Sequence, residues 1–284
     1  MFRQETDGLA ASIWQDFTSS DRGRPLSEPN TTTIDINGHP CRVWTKGSGP
    51  KLGWIAGLGG LPRWIPFLDK LAEKRTVIAP SLPGFPGATG HTLLDTHLDW
   101  IIAVRQIIER SGLDGADLAG SSVGGSFVAE MAAMWPTSVR RIAMIAPFGL
   151  YDDANPPADV WAQRADDVAG LMCADPKTWT DFKAMPAGAN SVEWPIEQVR
   201  ASEAAARIYW PLGNTKLDRR LPMITAPTLL LWGEKDRVMP RAYAERIAKA
   251  MTGPTEIRTI TGAGHLAELD QPDATAAAIE AFLS

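Results

Sequence analysis

The chain has little cysteine: Cys41 and Cys173 are its only two thiols. Two thiols so far apart exclude a disulfide framework and a cysteine metal knuckle, and read as free thiols of a reducing cytoplasm. No stretch approaches the roughly 20 apolar residues of a membrane-spanning helix. There is no excess of positive charge either. The net charge of −5 argues against nucleic acid or an anionic membrane as partner. The start, Met1-Phe2-Arg3-Gln4, lacks a basic region followed by an apolar run, so no signal peptide is expected. No repeat or low-complexity segment is visible. Histidine is scarce, with four in the chain, which narrows any search for an acid–base group. No cofactor or metal site is expected. The expected partner is a small molecule, and the expected assembly a monomer or homodimer.

At 284 residues the chain can bury a full core, as one large domain or a domain with an insertion. Residues 1–29 are polar and mixed, with Ile13, Trp14 and Phe17 on one amphipathic turn. β-Branched runs at 31–36 and 41–45 flank Asn37-Gly38, the signal of a hairpin. Residues 51–56 read as a third strand. The glycine-rich loop Gly57-Leu58-Gly59-Gly60-Leu61-Pro62 follows, then a helix over 63–74 with Trp64, Phe67, Leu68 and Leu71 on one face. A buried strand at 76–79, a long helix within 92–113 and a strand at 140–146 continue the alternation. Strands alternating with helices imply parallel β-α units.

The stretch Gly120-Ser121-Ser122-Val123-Gly124 interrupts that alternation. A short strand over 115–119 precedes it, and a helix over 124–135, stopped by Pro136, follows. Gly-x-Ser-x-Gly between strand and helix is a tight turn that lifts its central side chain above a sheet edge. A serine hydroxyl is a poor nucleophile unless a base removes its proton, a carboxylate orients that base, and N–H donors hold the oxyanion. His39 lies in the hairpin, and His91 and His97 at the start of the long helix. His265 lies among glycines on the loop after the last strand, 256–260, where it can reach the sheet's C-terminal edge. Asp236 sits just past the strand at 226–232. Glu234, Asp152 and Asp153 are rival acids.

The order Ser122, Asp236, His265 resembles that of the α/β-hydrolase fold superfamily. The resemblance covers residues 31–284. It rests on Gly120-Ser121-Ser122-Val123-Gly124-Gly125, on Trp-Gly-x-x-Asp-x-x-x-Pro at 232–240, and on Gly-His-Leu around His265. It implies an α/β fold: a mostly parallel eight-stranded sheet flanked by helices, with a helical cap inserted before the acid-bearing strand. It also implies Ser122 as nucleophile, His265 as base and Asp236 as its orienter. The N–H groups of Leu58 and Val123 would hold the oxyanion. Ala56-Gly57 stands where many members carry His-Gly. Serine rather than aspartate at the nucleophile disfavours epoxide hydrolases and haloalkane dehalogenases. The chain looks most like small carboxylesterases and C–C hydrolases of ring-cleavage products. Ester hydrolysis is the first expectation, diketo-acid cleavage the alternative, and a non-hydrolytic lyase or oxygenase the third.

From 148 to 224 no strand is evident, and a structureless loop that long does not belong in a compact domain. Helices are expected instead, one opened by Pro156-Pro157 and one by Pro195. The expected division is a core of residues 1–148 and 221–284 and a cap of residues 149–220. Trp161 and Trp210 of that cap are candidate substrate contacts. Arg63, Arg164 and Arg207 are the candidates for a substrate carboxylate, each equally readable as a surface charge.

Overall fold

The computed structural model describes residues 28–186 and 188–284. The expected turn carrying Ile13, Trp14 and Phe17 lies outside them. Eight strands form one sheet: β1 (Asn30–Ile36), β2 (His39–Lys46), β3 (Lys51–Ile55), β4 (Thr76–Pro80), β5 (Ala116–Ser121), β6 (Val139–Ile145), β7 (Thr228–Gly233) and β8 (Thr255–Ile260). Their spatial order is β1-β2-β4-β3-β5-β6-β7-β8. The β1–β2 hairpin pairs antiparallel and joins β4 antiparallel; every other pair is parallel. The C-terminal ends of β3, β5, β6, β7 and β8 therefore share one edge, where loops meet.

Both faces of the sheet are covered, as a parallel sheet requires. On β7 the side chains alternate: Leu229 and Leu231 pack with Phe67, Leu68 and Leu71 of α1 (Pro66–Ala72). Leu230 and Trp232 join the opposite cluster. That cluster includes Val104, Ile107 and Ile108 of α2 (His97–Arg110), and Phe127, Val128 and Met131 of α3 (Ser122–Met134). The long helix expected within 92–113 is α2. Thr96 caps α2 with a reciprocal Thr96–Asp99 box, which sets the first turn.

Between β6 and β7 the described residues carry three α-helices: α4 (Ala165–Met172), α5 (Pro176–Lys183) and α6 (Glu193–Tyr209). Pro156-Pro157 opens no helix. Asp159 instead accepts the Trp161 and Ala162 N–H groups at 2.9 and 3.1 Å, an Asx turn that competes with helical bonding. After β7 come α7 (Ala242–Ala250), α8 (Ala267–Asp270) and α9 (Pro272–Leu283). Among the described residues no helix is long and apolar enough to cross a membrane.

Candidate active site

Ser122 stands at the first position of α3, directly after β5, with φ at 52°. A side-chain-bearing residue there costs on the order of 1–3 kcal/mol, held by the surrounding packing. The packing is backbone on backbone. A Cβ on Gly120 would lie 2.7 Å from the Gly124 carbonyl carbon, and one on Gly124 would lie 2.0 Å from the Ile55 oxygen. Glycine on both sides of the serine is a steric demand of this strand-to-helix turn.

The next loop carries Asp236. Its Oδ1 accepts the N–H groups of Val238 at 2.8 Å and Met239 at 3.0 Å. Those bonds leave Oδ2 facing His265 Nδ1 at 3.1 Å. His265 Nε2 lies 2.9 Å from Ser122 Oγ. With the ring proton on Nδ1, the imidazole donates to the carboxylate and accepts from the hydroxyl. Ser122 and His265 are fully buried, so these bonds are shielded from water. Phe148 meets the imidazole edge-on, with ring centroids 5.7 Å apart.

The loop bearing His265 is pinned from two sides. A Cβ on Gly233 would lie 1.9 Å from the Gly264 oxygen, so the loops bearing Asp236 and His265 pack main chain to main chain. Asp270 Oδ2 accepts the N–H groups of Gly264 and Ala174, each at 2.7 Å, and the Leu266 N–H donates to the Met172 carbonyl at 2.9 Å. The end of α4 thus holds the histidine loop in place.

The other candidates are engaged elsewhere. His39 bonds Thr89, His91 bonds Glu203, and His97 bonds Glu130. Glu234 accepts the Gly262 N–H, and Asp152 pairs with Arg246. The loop after β3 lies against Ser122: a Cβ on Gly57 would sit 3.1 Å from Ser122 Cβ. Among the described residues the N–H groups of Leu58 and Val123 have no hydrogen-bond partner. Also among these residues, no three His, Cys, Asp or Glu side chains gather as a metal-binding set.

A cavity of about 120 Å³ opens at Leu58 and Gly59, walled by Val160, Trp161, Val168 and Trp179. Of the two candidate substrate contacts, Trp161 lines this cavity and Trp210 does not. It follows the last turn of α6, is 55% exposed, and its indole N–H donates to Asp159 at 3.2 Å, which turns the ring outward. Arg63 donates to the Ala184 carbonyl, and Arg207 pairs with Glu203 at 2.8 Å. A larger hollow of about 430 Å³ runs along α6 past Asn190, Trp194 and Arg200; Ser122, Asp236 and His265 line neither cavity, but the smaller one includes Leu58 and Gly59 of the loop that lies against Ser122.

Sequence reasoning missed Glu268. This carboxyl is buried, accepts the Ser121 hydroxyl at 2.5 Å, and has its other oxygen unpartnered among the described residues. Burial pushes it up to about 7, against the opposing pull of the Ser121 bond and the nearby imidazole. Its nearness to His265 in sequence was the available signal.

The sheet order, the strand-to-helix serine and the loops at one edge define an α/β-hydrolase fold. The Alpha/beta hydrolase family matches residues 47–278, and the chain belongs to that family. A 2-hydroxy-6-oxo-2,4-heptadienoate hydrolase of Pseudomonas putida is 26% identical over 250 residues, 85% of this chain and 88% of that protein. Monoacylglycerol lipase abhd6-A of Xenopus laevis is 24% identical over 242 residues, 78% of this chain and 71% of the lipase. The dihydrolipoyllysine-residue acetyltransferase component of an acetoin cleaving system of Cupriavidus necator is 26% identical over 251 residues, 84% of this chain; the match spans 64% of that protein's length. Among solved structures, the 2-hydroxy-6-oxo-6-phenylhexa-2,4-dienoate hydrolase from Rhodococcus sp. strain RHA1 superposes with a TM-score of 0.72 at 19% identity, covering 90% of this chain and 99% of that one.

Proposed function

We propose that the protein is a serine hydrolase that cleaves a carboxylic ester of a small, partly apolar substrate through an acyl-enzyme. The observation that carries this reading is the continuous chain from Asp236 through His265 to Ser122, at 3.1 and 2.9 Å. His265 takes the Ser122 proton as Oγ attacks the ester carbonyl. The N–H groups of Leu58 and Val123 hold the resulting oxyanion, and Asp236 stabilises the imidazolium. His265 then gives that proton to the departing alkoxide, which leaves as alcohol. Water, deprotonated by the same imidazole, attacks the acyl-enzyme and releases the acid. Residues 149–220 act as a cap over a core of residues 1–148 and 221–284. The apolar walls beside Leu58 favour a small acyl or alkyl portion. The two free, buried thiols suit a reducing compartment.

A second reading is C–C hydrolysis of a diketo-acid ring-cleavage product by the same three side chains. It is favoured by the Pseudomonas putida dienoate hydrolase, which shares most of its length with this chain.

Serine-directed fluorophosphonate labelling, with p-nitrophenyl esters and a vinylogous diketo acid as substrates, tests both. The expected result is labelling of Ser122, ester turnover, and a loss of about 10⁴–10⁶ in kcat for Ser122→Ala. Diketo-acid cleavage without ester turnover selects the second reading. Ester turnover unchanged in Ser122→Ala overturns the acyl-enzyme.

A further inference from the structure

We propose that Lys183 and Gln198 form a subsite for a carboxylate on the substrate, a few bonds from the carbonyl that Ser122 attacks. The proposal rests on the hydrolase reading above and adds the chemical class of its substrate.

Lys183 closes α5 and lines the cavity that opens at Leu58. Its Nζ lies 5.3 Å from the Trp179 ring centroid, within cation–π range. Among the described residues no carboxylate lies within 4 Å of it and no acceptor takes its protons. Lys46 pairs with Asp69, Lys177 with Asp181, and Lys51 donates to the Gly112 carbonyl, whereas Lys74, Lys216, Lys235 and Lys249 share with Lys183 the lack of a partner among the described residues; Lys183 alone of these lines the cavity. Burial pulls the Lys183 ammonium down to about 8. Glu197 alone attracts it from a distance. That carboxylate already accepts the Gly87 N–H at 3.0 Å and faces Arg200 at 3.5 Å.

The second observation is independent. Gln198 of α6 lines the same cavity, and both polar atoms of its amide are buried without a partner among the described residues. The unpaired buried amide costs free energy, and the half-buried ammonium beside it has no carboxylate of its own. Two such groups facing one small space share a natural remedy: an anion that accepts from both. One positive charge and one amide suit a monoanion such as a carboxylate.

The placement fits the reaction. Gly57 touches Ser122, and Leu58 offers its N–H and lines the cavity. Gly59 meets the ammonium: a Cβ there would lie 3.2 Å from Lys183 Nζ. Two peptide units separate Gly57 from Gly59, at most about 7–8 Å. With the contacts of 3.1 Å at Ser122 and 3.2 Å at Lys183 added to that span, a carboxy-acyl ester a few carbons long or a dienoate acid reaches from the serine to the lysine.

Isothermal titration of the Ser122→Ala protein with monomethyl glutarate, against dimethyl glutarate as its neutral match, tests the subsite directly. The acid ester is expected to bind about tenfold or more tightly, the size of one charge-assisted bond. Lys183→Gln in that background is expected to abolish the difference, and Gln198→Leu to reduce it. Equal affinity for the two esters overturns the proposal, as does no binding of the acid ester, or a preference that survives in a folded Lys183→Gln or Gln198→Leu protein. The kcat/KM ratio for the same two esters on the wild type separates the two claims. Turnover of both without preference for the acid keeps the hydrolase and removes the subsite. Lys183-dependent binding without turnover of either keeps the subsite and removes the ester reading.

Discussion

Gly124 and Ile55 meet so closely that a Cβ on the glycine would lie 2.0 Å from the Ile55 carbonyl oxygen, and 2.6 Å from that of Ala56. The first turn of α3 is thereby keyed to the end of β3, and the Gly57–Leu58 loop is held in register with Ser122. Both obstacles are main-chain atoms, so neither can rotate away. Gly124→Ala should destabilise the protein by about 3 kcal/mol, the upper range for overpacking. It should also lower turnover further than lost stability explains, because the loop carrying Leu58 must shift. Urea unfolding and kcat, measured at a temperature where the variant is folded, check this. A variant as stable as wild type would show that the contact yields.

A buried ion cluster on α3 makes a second prediction. The Glu130 carboxylate is fully buried; Arg220 donates to it at 2.5 and 2.6 Å, and His97 Nε2 lies 3.2 Å away. Burial alone would push this carboxyl up, but the His97 and Arg220 bonds together hold it below the usual range. Arg220→Met leaves the charge uncompensated and should cost about 3–5 kcal/mol, part of which Glu130→Gln should restore in the double variant. The lowered value also sets a pH dependence. The stabilisation is complete above the ordinary carboxylate value of 4.5 and fades as pH falls through the lower folded one. Wild type should therefore lose more stability than Glu130→Gln between pH 5 and 3 in urea titrations.

How far these features were legible in the sequence depends on the range of the interactions that make them. The strand, Gly-x-Ser-x-Gly and helix around Ser122 are local, so their pattern carries their geometry. Asp236 and His265 follow strands, and parallel strands bring their following loops to one edge. Lys183 and Gln198 carry no such mark. A lysine ending an amphipathic helix reads as solvated, and only the meeting of α5 with Gly59 gives it meaning. Helix ends fared worst. Pro156-Pro157 looks like a helix start, yet the Asp159 side chain takes the N–H groups that a first turn would leave free. Trp210, a candidate substrate contact, donates to Asp159 and is half exposed, which composition does not signal.

Glu268 supplies the last prediction. Its carboxyl is buried beside Ser121 with one oxygen unpartnered, and burial raises it to about 7 from an ordinary 4.5. Between those two values the folded protein holds a proton that the unfolded chain has released. Stability must then fall as pH rises through this window, by on the order of 3 kcal/mol if the full shift is expressed. The direction is opposite to that of Glu130, and the window lies above it, so the two do not overlap. Glu268→Gln keeps an acceptor for the Ser121 hydroxyl and cannot ionise. The stability difference between Glu268→Gln and wild type should therefore grow in the variant's favour from pH 5 to about pH 7 and level off by pH 8. Urea unfolding at four pH values measures it. A difference that stays flat across that range would mean that Glu268 does not change its charge there, and that the buried pocket beside Ser121 accommodates one form throughout.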